Sequence, residues 1–580
     1  MPSAPPPALK YAVATQRKGE SMNEKTPLNH LITRRAMLAG SAIAAASALA
    51  ACKKNDAEQG TDGASAAGGT LSYHIESPTG IEPYTLEDEN AVAVAFNLFD
   101  ALTYYDYKTG ELVDLVAESH SHNDTDDVWT FKIRKGTKFH DGSEVTAKSF
   151  KYAWERLCSP NTADQPSNVS YHLAMVKGYK DVVAGTTNDL AGVTCPDDYT
   201  LQVELSAPYA DFDYVCAAPV LSPIPEGLGA GDGYKDFSLA PVGNGPFKMK
   251  GQWVDGQYVD TERFDDYTNG DIAKLDGVHF AIYRDSYTAY KELDAGSLDC
   301  SLVPITATKD AESSYGTSDD GYTATPGKQF LDGTMLYTQF LAFNVNDPLT
   351  KDPRVRQALS LAINRQAICD AIYEGSAKPA DDILPEAIEG HTEGAWKYAA
   401  YDPEQAGKLL DEAGYPADAD GKRNISFKFM TNAANTQDEY QSMQSDWAEL
   451  GIDVEIDKVE YAAMYQSYLD GTYTVGARAW YADYPIADNY LYPMFYTGRD
   501  DNVSHFSDPT YDAMIDKARS VADHDERVKA MQECDAYVAE LMPYAPLNYR
   551  ALARCASNNV ETLTVTPGIL PLLDEAELKA

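Results

Sequence analysis

In "ARAWYADYP", residues 477–485, a single carboxylate, Asp483, stands among Trp480, Tyr481 and Tyr484. A carboxylate in aromatic company can cap a helix, pair with a lysine of its own chain, act as a catalytic acid, or hold a cation that arrives from outside. The last is chemically coherent. An ammonium leaving water needs a counter-charge and acceptors, and aromatic rings exclude water while presenting their faces to the cation. Elsewhere the reactive residue types form no machinery. His120 and His122 in "SHSHN" are flanked by Ser and Asn and read as a solvated loop rather than a metal pair. "DADG" (418–421) opens like a calcium loop but has Phe429 where the twelfth position requires an acid, so it reads as a polar turn. The chain lacks a P-loop, a dinucleotide fingerprint, a GxSxG elbow and an HExxH helix. The expectation is a binder rather than an enzyme, with no cofactor and no metal.

The first 51 residues indicate where such a site would work. "TRRAMLAGSAIAAASALAAC" sets Arg34 and Arg35 before an apolar run that ends in small residues and Cys52. This is the build of an export signal and is short and alanine-rich for a membrane span. "LAAC" resembles the bacterial lipobox, which implies lipidation of Cys52, and "TRRAML" resembles the twin-arginine motif, with Met37 where a larger apolar residue is usual. Met22 is a second candidate start. Residues 52–69, rich in Gly, Ala, Ser and charge, read as a flexible tether reaching roughly 20–25 Å. The expected location is therefore the outer face of the cytoplasmic membrane, held by an N-terminal lipid anchor.

The leader holds six of the 47 basic and two of the 89 acidic residues, leaving 41 against 87 and a formal charge of −46. Such a surface excludes nucleic acid as a partner. Seven cysteines follow Cys52, an odd number without metal-ligand spacing, and Cys195 with Cys216 is a candidate disulfide.

The elements that must position Asp483 are legible in part. "VWTFKIRKG" alternates Trp129, Phe131 and Ile133 against Thr130, Lys132 and Arg134, a half-buried strand followed by an Asp141-Gly142 turn. Thr146 caps a helix whose apolar face carries Phe150, Ala153, Trp154 and Leu157. A second helix is expected from the Asp352 cap and Pro353 through to a stop at Gly375, and a third from Asp402 and Pro403 to Gly414. The body is mixed α/β.

Several stretches resemble one family, the extracytoplasmic peptide-binding proteins of ABC importers (family 5), and in particular its oligopeptide-binding branch. They are "WTFKIRKGTKFHDGSEVTAKSFKYAWERLCSPNTA", "PVGNGPFKMKGQW", "FLAFNVNDPLTKDPRVRQALSLAINRQAI", "YDPEQAGKLLDEAGY", "LGIDVEI" and "AWYADYP", in order over residues 70–560. The resemblance implies a two-lobed periplasmic-binding-protein type II fold with an additional subdomain and hinge-crossing strands. Lobe I would comprise 70–115, 236–330 and 546–580, the subdomain 116–235, and lobe II 331–545. It further implies that Asp483 receives the α-amino group of an extended oligopeptide between the lobes, beside Trp480, Tyr481 and Tyr484. Glu87 would lie on the first lobe beside the ligand, Asn244 at a chain crossing near the cleft, and Phe340 and Tyr549 along side-chain pockets. The implied partners are the peptide and the permease subunits of an importer, with the protein a monomer. Two features depart from that branch. Arg478 lies two residues before Trp480 instead of three, and "YEGSAKPADD" offers no match to the lysine some members use near the ligand's C-terminus. A dipeptide, oligosaccharide, nickel complex or haem is the alternative cargo for this fold. A signalling receptor, a lipoprotein chaperone and a secreted glycoside hydrolase are the alternatives outside transport.

Overall fold

The computed structural model describes residues 68–432 and 437–579. Arg34, Arg35, Met22, Cys52 and the tether up to residue 67 lie outside the described residues.

The apolar residues gather into two large cores, one for each lobe. The first is built on a seven-stranded sheet in which Thr70–Ile75 runs parallel to Gly277–Ile282 and to Cys300–Leu302, the last pairing in turn with Arg554–Ala556. The strand Val128–Ile133 belongs to a separate four-stranded sheet within 117–204. Its Trp129, Phe131 and Ile133 are buried as the alternation requires, and they join the same core as Leu71 and Tyr73. The subdomain is thus fused to lobe I by shared burial. The helix Ala147–Cys158 follows, and Thr146 N donates to Ser149 Oγ at 3.2 Å at its start.

Trp154 and Arg156, the aromatic-Trp-x-Arg of the sequence, explain themselves here. Trp154 Nε1 donates to Leu221 O at 2.8 Å. Arg156 forms a bidentate pair with Glu82, Nη1 to Oε2 at 2.9 Å and Nη2 to Oε1 at 2.8 Å, roofed by Tyr84, Tyr234 and Phe237. This buried fork sews the loop of Glu82–Glu87 to the subdomain.

Lobe II is a six-stranded sheet around Thr334–Phe343, flanked antiparallel by Tyr544–Ala551 on one side and Val475–Tyr481 on the other. Ser426–Asn432 lies parallel beyond the latter, and Asp453–Val459 beyond that. Asp402 caps Pro403–Glu412 as expected, with Asp402 Oδ1 accepting from Gln405 N at 2.8 Å. The helix expected from Pro353 to Gly375 is instead two, Pro353–Leu361 and Arg365–Ile372. Asn364 interrupts it by capping the second piece, its Oδ1 accepting from Ala367 N at 3.1 Å while its own N–H is taken by Asp446 at 3.0 Å. A side chain that competes for backbone donors makes a new start of what periodicity reads as continuous.

The chain passes from lobe I to lobe II between Leu331 and Thr334 and returns between Ala551 and Arg554. Tyr544–Ala551 remains in the lobe II sheet, so the return lies a few residues beyond the expected 545/546 boundary. The two crossings touch through Leu552 N to Gly333 O at 2.9 Å. Gly333 has no room for a side chain, since a Cβ would lie 2.3 Å from the Tyr322 ring, and Ala553 adopts φ +44°. All seven described cysteines are free, so Cys195 and Cys216 are not bridged.

His120 and His122 are not in a loop. They lie on the edge strand Ala117–His122. His120 is held between Asp114 at 2.7 Å and Asp213 at 3.4 Å, and these carboxylates push its pKa up to about 9 against the opposing effect of burial. No group of acidic, histidine or cysteine residues suited to a metal occurs among the described residues. The DADG stretch is the polar turn expected, closed by Gly421 N to Asp418 O at 3.0 Å.

Candidate ligand-binding site

The strand Val475–Tyr481 carries Asp483 just past its end. Its inner edge pairs with Thr334–Phe343 along its whole length. On the outer edge only Val475 and Gly476 meet Ser426–Asn432, so from Ala477 onward that edge has no partner strand among the described residues. An unpaired edge is a template for another extended chain. The chain then turns through Ala482–Ala487 into the helix Asp488–Phe495, whose first turn supplies Asn489. Asn489 Oδ1 accepts from Asp483 N at 3.0 Å and from Trp480 Nε1 at 3.4 Å, while its Nδ2 donates to Asp483 Oδ2 at 3.4 Å. One amide therefore fixes both the aspartate and the tryptophan.

The subdomain completes the setting. Tyr171 OH lies 3.3 Å from each carboxylate oxygen of Asp483, and the ring stacks on His172 at 4.3 Å. His172 Nδ1 is 2.9 Å from Val169 O, which only accepts, so Nδ1 carries the proton. Its Nε2, 4.0 Å from Asp483 Oδ1, offers a hydrogen to the carboxylate only when the ring is cationic. The Asp483 side chain is 29% exposed. Among the described residues no lysine or arginine pairs with it. Arg478, nearest in sequence, turns to Asp501 at 3.6 Å and packs over Tyr465 and Tyr468. Burial raises the Asp501 carboxyl, and Arg478 works against that rise.

The aromatic neighbours divide their work. Tyr481 packs against both lobe cores and Tyr484 against the first, whereas Trp480 stays with the second. Beside them a subdomain loop is clasped by lobe II. Tyr209 OH donates to Asp488 Oδ2 at 2.8 Å, and Arg519 pairs with Asp488 Oδ1 at 3.0 Å while covering the Tyr209 ring at 4.3 Å. Ala210 N donates to Arg519 O at 3.1 Å, and Arg527 pairs with Asp211 at 2.7 Å. Asp211, Asp488 and Arg527 are all buried. Burial pushes the Asp211 carboxyl up to about 7, with Arg527 opposing.

A cavity of about 460 Å³ opens on the lobe II sheet, bordered by Tyr337, Gln339, Tyr461, Ala477, Arg478, Ala479 and Arg550. The alanines leave the strand edge approachable. Phe340 and Tyr549 do not border this cavity. Phe340 is 1% exposed and packs edge-on to Tyr544, and Tyr549, also 1% exposed, uses its hydroxyl on Asp382 O at 2.8 Å. Their strand neighbours Gln339 and Arg550 face the space instead, because successive side chains alternate between faces. Asn244 is 1% exposed and spends both ends of its amide on the backbone of Asp100, at 3.0 and 3.1 Å. It ties two segments of the first lobe together and leaves neither end of its amide for a ligand. The Asp100 carboxyl beside it is pushed up to about 7 by burial. Glu87 is exposed and meets Asn168 at 3.1 Å, three residues before Tyr171. Tyr171, His172, Asn489 and Arg550 were not singled out from sequence. Asn489, six residues past Asp483 in a helix's first turn, was the one within reach of a local reading.

The two-lobed body has, among the described residues, an unpaired strand edge and a carboxylate met by no lysine or arginine. The family model described as bacterial extracellular solute-binding proteins, family 5 Middle, matches residues 111–502. The chain belongs to this family. As a family 5 protein it is a solute-binding component of ABC importers, working outside the cytoplasm. It is similar to the periplasmic oligopeptide-binding protein OppA of Salmonella typhimurium, at 29% identity over 81% of this chain and 86% of that one. It is also similar to the probable deoxycholate-binding periplasmic protein YgiS of Escherichia coli, at 26% identity over 83% and 88%. The structure of the Escherichia coli murein tripeptide binding protein MppA shares the fold, with TM-score 0.68 and 23% identity over 88% of this chain and 98% of that one. These relatives are binding proteins rather than enzymes, and their named ligands differ. No helix among the described residues is long and apolar enough to cross a membrane.

Proposed function

We propose that this family 5 protein captures extended oligopeptides by their free α-amino end and delivers them to the permease of an importer, acting as a monomer. The observation that carries the reading is Asp483. Its carboxylate is fixed by Asn489 and met by the Tyr171 hydroxyl, with His172 Nε2 4.0 Å away and no lysine or arginine against it among the described residues. An ammonium placed there gains a full counter-charge, and the tyrosine oxygen offers a further acceptor. The unpaired edge beyond Ala477 supplies backbone groups for a strand of any sequence, and the neighbouring cavity has room for varied side chains.

Calorimetry with a tetra-alanine probe tests the reading. Binding of the free-amine form and loss of most of that affinity on N-acetylation is the expected result. Equal affinity for both forms rejects amino-end capture. A lipid on Cys52 would hold the protein at the outer face of the cytoplasmic membrane. Cys52→Ser is expected to move it from the membrane fraction to the soluble one, and unchanged membrane association would dismiss the anchor.

A further inference from the structure

The dipeptide Asn-Gly occurs twice in the chain, at Asn244-Gly245 and at Asn269-Gly270. Both asparagines hold Asp100. Asn244 binds its backbone at 3.0 and 3.1 Å, and Asn269 Nδ2 donates to its carboxylate oxygen Oδ2 at 2.7 Å. Asn269 Oδ1 accepts from Thr137 Oγ1 at 3.0 Å, so this amide ties lobe I to the subdomain. The two sites differ in what surrounds the glycine. Gly245 is buried and donates its N–H to Leu98 O at 2.9 Å, and Asn244 is buried beside it. Gly270 is exposed, its N–H makes no hydrogen bond among the described residues, and Asn269 is half-buried.

An asparagine followed by glycine carries its own reagent. The glycine nitrogen reaches the side-chain amide carbon with no Cβ in the way. At Asn244 this closure first requires the Leu98 bond to break inside a packed core, whereas the Gly270 nitrogen already stands open to water. We infer that Asn269 is a site of spontaneous deamidation and that Asn244 is protected from it. The Gly270 nitrogen gives its proton to hydroxide and bonds to Asn269 Cγ. The Cγ–Nδ2 bond breaks, and Nδ2 leaves as ammonia with a proton from water. Water then splits one of the two C–N bonds of the succinimide ring, its hydroxyl going to carbon and its proton to nitrogen. The product is aspartate or isoaspartate. One water is consumed, one ammonia is released, and nothing is oxidised or reduced.

The product matters because of Asp100. Where an amide donated, a second carboxylate would face Asp100 Oδ2, in a carboxyl that burial already pushes up to about 7. The Tyr267 hydroxyl shares that carboxylate. The space beside it is bordered by Tyr104, Asp574 and Glu575 as well, and by no lysine or arginine. Lys108, which acts on Asp574 through space, is paired with Glu575. No cation on that wall answers a new negative charge, and the repulsion falls at the tie between lobe I and the subdomain.

Peptide mapping by mass spectrometry, on folded protein held in mildly alkaline buffer, reads the exchange of amide for acid at each asparagine. Asn269 is expected to convert about tenfold or more faster than Asn244, whose segment must open first. Gly270→Ala is expected to slow Asn269 by about tenfold, since a Cβ then hinders the nitrogen. That Cβ would meet only the Tyr267 ring, at 3.4 Å, so the fold accommodates it. No conversion at Asn269, equal rates at the two asparagines, or a rate unchanged by Gly270→Ala overturns the site. Asn269→Asp installs the charge directly and is expected to lower the urea midpoint in mildly alkaline buffer, with most of the deficit gone in mildly acid buffer. The folded pair retains a proton that the unfolded chain gives up, so stability falls as pH rises through the folded value. A deficit of equal size at both pH values, or none, overturns the charge repulsion at Asp100. If that variant does not fold, aged and fresh samples of the unaltered protein supply the same comparison.

Discussion

Asp483→Asn lowers affinity for a free-amine peptide by about 2–5 kcal/mol, the range for removing one partner of a desolvated charge pair. In equilibrium terms that is roughly 30-fold to a few thousand-fold, at about 1.4 kcal/mol per tenfold. The lower half of the range is expected because the side chain keeps 29% of its exposure and solvent screens part of the interaction. Asparagine preserves volume and the bonds to Asn489, so the loop should stay in place and the change should report charge. The decisive form is a cycle of two proteins and two peptides. The loss seen with the free amine should nearly vanish with the N-acetylated peptide, since no ammonium remains for the carboxylate to meet. An equal loss with both peptides would mean that Asp483 shapes the loop and does not hold the amine.

Glu82→Ala is the largest expected effect on stability, about 3–5 kcal/mol, because it strands a buried charge. Glu82 is fully buried and the Arg156 side chain is 2% exposed, under three aromatic rings. Water cannot replace the lost carboxylate without opening the seam between the loop and the subdomain. Urea unfolding followed by tryptophan fluorescence should detect this, since Trp154 lies two residues from Arg156 on the same helix. The double variant Glu82→Leu with Arg156→Met is expected to recover much of the loss, because a paired charge and a well-packed apolar pair can be nearly equivalent. A single-variant cost within about 0.5 kcal/mol, the ordinary surface value, would show the pair to be dispensable.

Much of the fold was written locally. The alternation of Trp129, Phe131 and Ile133 and the Asp-Pro start of the helix at Pro353 depend on neighbours in sequence, and each is found in place. The loop of Asp483 is local too, since Trp480 and Asn489, three residues before and six after it, share its hydrogen bonds. The failures share a cause. Phe340 and Tyr549 sit on the right strands but the wrong face, and a slip of one residue exchanges a core aromatic for Gln339 or Arg550. Tyr171 is more than 300 positions from Asp483 in sequence, so only the folded chain brings them together. Asn244 was expected beside the cleft, yet both ends of its amide are consumed by the backbone of Asp100.

The clasp of Tyr209, Ala210 and Asp211 by Arg519, Arg527 and Asp488 has a kinetic corollary. Separating these faces would return two guanidinium groups and two carboxylates to water, along with a backbone amide. Rehydration compensates in the end state, but the path passes through partly wetted arrangements that satisfy neither side. On the proposed function, with release by parting of these faces, the dwell time of cargo would be governed in part by the carrier's own seam, and unloading speed is expected to vary less among peptides than their affinities do.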